Sequence, residues 1–352
     1  MLENVRSGHP APVNGVTEPH AVPTAAPVSI AAPAQTGRPA PLTMAGKSGL
    51  AEAVGLLLLV GTLLAGSTVV AKLAPAAGWS PLPLLQWSLL SAALLQAVIV
   101  GVRDLASRKA PFPAAGRKRN LLQRFPGIAV YMLVSGILFA IPNALAFSAV
   151  LHVGAGFVAL CFAFPLVFTY ALAVFFKLEA FHALKFAGVL LGVTGGVAMV
   201  LGGLVTSPES LPWAVAALAM PVIIAAGNIY RSLFWPKGVR PAVLSSGMMA
   251  FGFLTLVPAT LVIGEGGPIW DDMTGAMVGL LALQSGLFTL LYALYFRLQK
   301  LAGPVFLSQI GSVAAVVGLG LAYVMFAEVP DAGKIAAVGL VAAGISLVTW
   351  TR

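Results

Sequence analysis

The sequence predicts an all-α integral membrane protein with ten transmembrane helices, arranged as two inverted five-helix repeats. Three observations predict this fold class. Hydrophobic residues make up 59% of the 352 residues and charged residues only 9%, which is too few to cover a water-exposed surface. The apolar residues form runs of about 20 residues, the length that spans a bilayer as a helix. A stretch near the middle of the chain also recurs near its end.

Charges, prolines and glycines bound the apolar runs and define ten candidate spans. Alternation with a period of two, the pattern of a transmembrane barrel, is absent from the runs, so each span is predicted to be a helix. The predicted spans are roughly 53–73, 82–101, 127–147, 153–176, 186–204, 211–230, 242–263, 274–296, 304–326 and 335–350.

The first 50 residues have a different composition, rich in Pro and Ala, and contain no apolar face that could be buried. Such a segment is typical of a disordered tail. It also lacks the apolar core of a cleaved signal peptide, so the first span is expected to direct membrane insertion. The predicted domains are therefore a cytoplasmic tail over 1–50, a first repeat over 51–205 and a second repeat over 211–350.

The basic residues predict the orientation in the membrane. With the N-terminus in the cytoplasm, 18 of the 20 Lys and Arg residues lie on the cytoplasmic side, and only Lys72 and Lys334 lie outside. This count places Arg231 in the cytoplasmic connection that follows the sixth span. The positive-inside bias predicts that both termini are cytoplasmic. Because the membrane explains the basic connections, we expect the lipid bilayer as partner and no nucleic acid.

The stretch FFKLEAFHALKFAGVLLGVTGG, from Phe175, aligns with VMFAEVPDAGKIAAVGLVAAGI, from Val324, at an offset of 149 residues. Glu179 then falls on Glu328 and Lys185 on Lys334. Five spans separate the copies, and because five is odd the two halves are inverted, as in many transporters. The alternative interpretation, in which these charges are only interfacial residues at helix ends, remains open.

The segment AFSAVLHVGAGFVALCFAFPLVFTYALAVFFKLEAFHALKFAGVLLGVTGGVAMVLGG, from Ala146, resembles the second part of an EamA-like repeat of the drug/metabolite transporter superfamily. GSTVVAKLA, from Gly66, and GNIYRSLF, from Gly227, resemble the motifs of the first and sixth helices of that family. The resemblance covers residues 51–350 and implies a ten-helix permease that exports its substrate. One departure is that the position of Pro165 is Ala314 in the second half.

Polar side chains inside the spans are the candidates for a substrate site. An unpaired polar group is costly in hydrocarbon, so these residues either contact a substrate or bond to neighbouring helices. An offset of 149 pairs Ser135 with Gln284, and an offset of 161 pairs Ser67 with Asn228; the basic loop 102–126 accounts for the difference. Paired polar positions are expected near a midplane site. The candidate substrate-binding residues are Ser67, Ser135, Tyr170, Asn228, Tyr230, Gln284, Tyr292 and Gln309.

We therefore expect a permease that moves a small amphipathic solute, such as an amino acid, across the bacterial inner membrane by alternating access. The alternatives are a membrane-embedded lipid-modifying enzyme and a non-transporting sensor or scaffold. Enzyme activity is not expected, because the four histidines, His9, His20, His152 and His182, are separated along the chain and form no catalytic constellation. Cys161 is the only cysteine, which excludes an intrachain disulfide and a cysteine-rich metal site, and no cofactor is expected.

Overall fold

The computed structural model describes residues 46–106, 115–201, 208–263 and 273–327, together with several residues between 336 and 347. All of these belong to one compact unit, Pro39–Arg352. The described residues are helical except for short connections, and no strand occurs among them. The predicted tail up to residue 45 and most of the predicted tenth span lie outside the described residues.

Ten α-helices follow one another in the described part of the chain between Gly46 and Phe326. Prolines, whose missing N–H group is tolerated in the first helical turn, begin three of them at Pro81, Pro165 and Pro241. Thr274 caps another helix by accepting a hydrogen bond from the backbone N–H of Met277. The helices are α1 (Gly46–Leu73), α2 (Pro81–Ala106), α3 (Ala115–Val153), α4 (Ala155–Cys161), α5 (Pro165–Phe175), α6 (Ala183–Leu201), α7 (Leu211–Leu233), α8 (Pro241–Val262), α9 (Gly275–Ser308) and α10 (Ile310–Phe326).

The protein is a multi-pass integral membrane protein. Within the described residues, seven helical stretches are long and apolar enough to cross a bilayer. They are Gly49–Leu73, Pro81–Ala106, Pro126–Val153, Ala155–Phe175, Leu211–Leu233, Pro241–Val262 and Gly275–Ser308. These stretches correspond to seven of the ten predicted spans.

The three remaining predicted spans have different outcomes. The fifth, 186–204, overlaps α6. The ninth, 304–326, is divided between the end of α9 and the shorter helix α10, which has 17 residues. The tenth, 335–350, falls mostly outside the described residues, so the structure does not establish ten spanning helices.

Two predicted spans are interrupted in their middle. The fourth is divided at residues 162–164, where α4 ends and Pro165 begins α5. The ninth is divided at Gln309, although Ala314 and not a proline stands at the position that corresponds to Pro165. A glycine with positive φ also stands near the start of each interrupted span: Gly154, with φ 84°, is the second residue of the fourth, and Gly303, with φ 77°, directly precedes the ninth. Gly303 lies within α9, which therefore consists of two helical segments joined at a kink.

The helices form one bundle with an apolar core. α3 packs on α7 and α8, α2 on α8 and α9, α1 on α9 and α10, α4 on α10, and α5 on α7. Small residues permit close approach at several crossings. A Cβ atom added to Gly311 on α10 would overlap the carbonyl oxygen of Phe162, and one added to Gly136 on α3 would lie 2.7 Å from the Cβ atom of Phe251.

Contacts between side chains define the two ends of the bundle. At one end, Arg297 of α9 pairs with Glu52 of α1, and Arg240 pairs with Asp104 of α2. We call this the Glu52 end. At the opposite end, the indole Nε1 of Trp79 donates a hydrogen bond of 3.0 Å to the carbonyl oxygen of Met277. We call this the Trp79 end.

Candidate functional site

A cavity of about 60 Å³ lies between α1, α3, α7, α8, α9 and α10. Its walls are mainly apolar. Polar groups enter it at four positions, Asn143, Arg231, Tyr292 and Tyr295. An apolar cavity with a few convergent polar groups is the usual form of a small-molecule site. The apolar lining includes Leu64, Leu138, Phe162, Ile224 and Met248.

Arg231 is the only charged residue among those that line the cavity. The sequence predicted it to lie in a cytoplasmic connection, and this prediction is wrong. α7 continues to Leu233, three residues past the predicted end of the span, and the Arg231 side chain is only 4% exposed. Its position in the last turn is favourable for a cation, because the C-terminal end of a helix dipole is negative.

Neutral side chains hold the Arg231 guanidinium in place. Its Nη2 atom donates to Asn228 Oδ1 at 2.8 Å and to the Tyr295 hydroxyl at 3.2 Å. Its Nε atom donates to Gln299 Oε1 at 3.3 Å. The Tyr295 hydroxyl in turn donates to Asn228 Oδ1, and Gln299 Nε2 donates to the Asn228 carbonyl oxygen at 3.1 Å. We call Asn228, Arg231, Tyr295 and Gln299 the Arg231 cluster.

Helical spacing brings the Arg231 cluster together. Asn228 and Arg231 are three residues apart on α7, and Tyr295 and Gln299 are four apart on α9, so each pair shares a helix face. The sequence predicted Asn228 as a candidate but not the other three residues. The signal available in the sequence was the i, i+3 spacing of Asn228 and Arg231.

No carboxylate neutralises Arg231 among the described residues. Four carboxylates occur in that part of the chain, and none is paired with Arg231. Glu209 is exposed and lies 22 residues before Arg231, which is about 33 Å along a helix. The other three pair with different cations: Glu52 with Arg297, Asp104 with Arg240 and Glu179 with Lys185.

Ser67 and Gln284 are brought into direct contact. Gln284 Nε2 donates to the Ser67 hydroxyl at 2.8 Å, which joins α9 to α1, and both residues are buried. Gln284 Oε1 makes no hydrogen bond within the described residues. Leu64 and Tyr292 line the cavity on the same two helices. The Ser67–Gln284 pair therefore lies beyond the cavity towards the Trp79 end, and the Arg231 cluster lies towards the Glu52 end.

The other predicted residues have separate positions. Tyr292 lines the cavity. Ser135 is fully buried on α3, and Gln309 occupies the break between α9 and α10. Tyr230 is half-buried and stacks on Tyr131, with ring centres 5.8 Å apart.

Tyr170 contacts the connection between α5 and α6. Its hydroxyl accepts a hydrogen bond of 2.9 Å from the backbone N–H of His182, and the ammonium group of Lys185 lies 5.5 Å from its ring centre. Lys185 also pairs with Glu179 at 3.6 Å. Tyr170 therefore stabilises this connection and does not line the cavity.

A second buried polar network, which the sequence did not predict, joins α2, α8 and α9. Gln96 Nε2 donates to the Thr289 carbonyl oxygen at 2.9 Å, and the Ser245 hydroxyl donates to Gln96 Oε1 at 2.7 Å. The side chains of Gln96 and Ser245 are buried. Such hydrogen bonds stabilise contacts between helices in a membrane, so this network is assigned to packing.

Metal-ligating side chains are dispersed in the part of the chain that the structure describes. There, no group of three or more His, Cys, Asp or Glu residues is arranged to hold a metal ion. The residues that line the cavity include none of these four types.

Comparison with known proteins provides evidence only on the fold. No family model matches the chain, and no curated protein matches it. A solved structure, described as "Crystal structure of protein", superposes with a TM-score of 0.54 at 19% sequence identity. The match covers 86% of this chain and 97% of that one. The two proteins therefore share a fold, and at this identity the likeness says nothing about activity.

Proposed function

We propose that the protein is a permease of the drug/metabolite transporter type. It moves a small amphipathic metabolite, such as an amino acid, across the bacterial inner membrane by alternating access. The observation that carries this proposal is the cavity inside a membrane-spanning bundle, which combines apolar walls with a buried guanidinium and hydroxyl and amide groups. An amphipathic solute needs both kinds of surface.

The proposal includes two inverted five-helix repeats, and the contacts between helices support them. In the first half, α4 and α5 together form the fourth helix; in the second, the end of α9 and α10 form the ninth. Exchanging the halves turns the contact of α1 with α9 into that of α7 with α3, and the contact of α2 with α9 into that of α8 with α3. Both members of each pair occur. This is the pattern expected of a pseudo-twofold axis.

Individual residues support the same axis. Gly154 and Gly303 both have a left-handed backbone, and they are separated by the repeat offset of 149 residues. Phe162 and Gly311 are separated by the same offset and touch each other. Corresponding residues touch only where they lie near a twofold axis, so the axis passes close to the cavity, which Phe162 lines.

The proposed orientation has both termini in the cytoplasm. Because Arg231 is buried in α7, it no longer counts as a residue of a connection. Lys72 and Lys334 remain the only basic residues assigned to the outer side, so the positive-inside bias is preserved. In this orientation the Glu52 end is cytoplasmic, and an exported solute would reach the Arg231 cluster first.

The cavity favours transport over lipid modification. Catalysis would require a nucleophile or an acid–base pair at the site. The lining residues provide no carboxylate, histidine or thiol. His152 instead stacks on Trp213 with ring centres 4.4 Å apart, and Cys161 is buried in the core.

Reconstitution into proteoliposomes tests the proposal. The vesicles are loaded with a mixture of amino acids and small organic acids, and efflux is measured with and without a pH gradient. At least one compound is expected to leave faster than from protein-free vesicles. Absence of efflux for every compound, with folded protein in the vesicles, would contradict the proposal.

Two tryptophan variants on α7 provide a matched control. Ile224 lines the cavity, whereas Val222, two residues earlier, is 45% exposed on the outer surface. Ile224→Trp places a larger side chain in the cavity. It is expected to reduce efflux about tenfold or more, because the indole ring occupies the space that the solute needs and a packed interior cannot expand to accommodate both. Val222→Trp is expected to preserve efflux. Equal efflux from both variants would show that solutes do not pass through this cavity.

A further inference from the structure

We infer that the solute carries a carboxylate group, which Arg231 binds inside the cavity. This inference rests on the proposed function and names the class of substrate for the same site. Arg231 is assigned this role because it is buried, its guanidinium is held by hydrogen bonds, and it has no carboxylate partner among the described residues.

The positive charge of Arg231 is buried and has no anionic partner among the described residues. A buried cation is costly unless an anion or a complete set of hydrogen bonds compensates it, and the cost is larger in a membrane interior. In the described part of the chain, each of the four carboxylates is paired elsewhere or exposed far from Arg231. The Arg231 cluster provides neutral acceptors only. An anionic solute would supply the missing charge.

The guanidinium of Arg231 has hydrogen-bond donors that the cluster does not use. Arginine has five N–H donors in a planar fork. The acceptors of the Arg231 cluster use Nε and Nη2. At Nη1, the contact is the Met248 sulfur at 4.0 Å, a weak acceptor. The Nη1 donors therefore remain available for an oxygen with stronger acceptor capacity.

The Arg231 guanidinium is held in a fixed orientation by its neighbours. Asn228 and Gln299 fix one edge of the guanidinium, and the Tyr295 ring lies 5.6 Å from its central carbon. These three residues are positioning residues, because they hold Arg231 and are not required to touch the solute. A guanidinium held in this way loses little conformational entropy when it binds a carboxylate.

The remaining lining of the cavity indicates what the rest of the solute is like. Apart from its four polar residues, the cavity is lined by aliphatic, aromatic, proline and methionine side chains. Its small volume, about 60 Å³, favours a small apolar group. The chemistry of the site therefore fits a short aliphatic carboxylate, either alone or as the carboxylate end of an amino acid.

Matched acids and amides test this inference on the purified full-length protein. Thermal unfolding is measured with linear and branched monocarboxylates of two to six carbons and with the corresponding amides, for example 3-methylbutanoate and 3-methylbutanamide. A ligand that binds the folded state raises the unfolding temperature. At least one acid is expected to stabilise the protein at a concentration about tenfold lower than its amide. Equal stabilisation by acids and amides, or none by any acid, would overturn the inference.

Variants of Arg231 and Lys300 identify the side chain that binds the carboxylate of the ligand. Arg231→Gln is expected to weaken acid binding about tenfold or more and to weaken amide binding much less, because only the acid loses a charge partner. Arg231→Lys keeps the charge but not the fork, so it should bind acids at intermediate strength. Lys300→Gln removes the same charge at an exposed position on α9 and should bind acids normally. If Lys300→Gln and the two Arg231 variants all bound acids like the unaltered protein, Arg231 would not be the carboxylate site.

The same experiments separate this inference from the proposed function. Binding is measured in detergent and does not require transport. Efflux of neutral compounds only, unaffected by Arg231→Gln, would uphold the permease and overturn the carboxylate site. Arg231-dependent binding of acids without efflux of any compound would uphold the carboxylate site and overturn the permease.

Discussion

Replacing Gly311 with alanine should destabilise the bundle at the crossing of α4 and α10. A Cβ atom at this position overlaps the carbonyl oxygen of Phe162 and lies 2.5 Å from the carbonyl carbon of that residue. Nonbonded carbon atoms are separated by about 3.5–4.0 Å, so relief of the carbon contact alone requires the two backbones to move apart by about 1 Å, and relief of the oxygen overlap requires more. Neither side of this contact is a flexible side chain that could rotate away.

The expected loss follows from the cost of overpacking. Insertion of one extra methyl group into a packed interior costs about 1–3 kcal/mol. Alanine has a higher helix propensity than glycine by about 1 kcal/mol, which offsets part of this cost. Because the overlap is with a backbone that cannot rotate away, the cost should lie at the upper end of this range, and the net loss of free energy of unfolding for Gly311→Ala should be about 2 kcal/mol, measured by titration of the purified protein with a denaturing detergent.

Gly320→Ala is the matched control on the same helix. Gly320 is exposed, and a Cβ atom there meets nothing within 4 Å in the described structure. This variant should be unchanged or slightly more stable than the original protein. If Gly311→Ala were as stable as Gly320→Ala, α4 and α10 would not touch at this point, and the position assigned to the pseudo-twofold axis would be wrong.

Three further changes have defined outcomes in the same titration. Gly303→Ala should cost about 1–3 kcal/mol, because φ 77° and ψ 178° are adopted almost only by glycine, and an unchanged stability would exclude the kink in α9. Trp79→Phe removes the 3.0 Å hydrogen bond to the Met277 carbonyl and should cost about 1–3 kcal/mol; a neutral effect would place this contact in water. Asp104→Asn breaks an ion pair whose side chains are more than half exposed and should change stability by about 1 kcal/mol at most, so a larger loss would contradict that exposure.

Hydropathy located accurately the start of those spans whose first residue is a proline. Pro81 and Pro241 begin α2 and α8 within one residue of the predicted starts, 82 and 242. Hydropathy cannot locate a break inside an apolar run when no proline marks it. This is why both spans were predicted as continuous: Pro165 marks the interruption in the fourth, but no proline marks the one at Gln309 in the ninth.

The candidate site was predicted only in part for a related reason. Composition identifies a polar residue inside a span, and Asn228, Gln284 and Tyr292 were chosen as candidates in this way. It does not identify which residues on other helices they contact. Gln284 meets Ser67 across 217 residues, and Arg231 meets Gln299 across 68. Such contacts depend on how the helices pack, and a single sequence does not encode them in a readable pattern.

Arg231 shows most clearly why the sequence predicted the candidate site only in part. A charge at the end of an apolar run is normally interfacial, so the positive-inside count treats it as part of a connection. In the structure, two more residues of α7 follow Arg231, and the neutral acceptors on α7 and α9 satisfy most of its donors. Among the described residues that line the cavity, this is therefore the only charged one.

Two-sided labelling of one cavity residue tests the central claim most directly. Ile224→Cys in a Cys161→Ser background places a single thiol in the cavity, and a membrane-impermeant maleimide is applied from each side of oriented vesicles. Alternating access predicts that the thiol reacts from both sides, and that a bound carboxylate changes the two rates in opposite directions. Labelling from one side only, with or without the acid, would contradict the account.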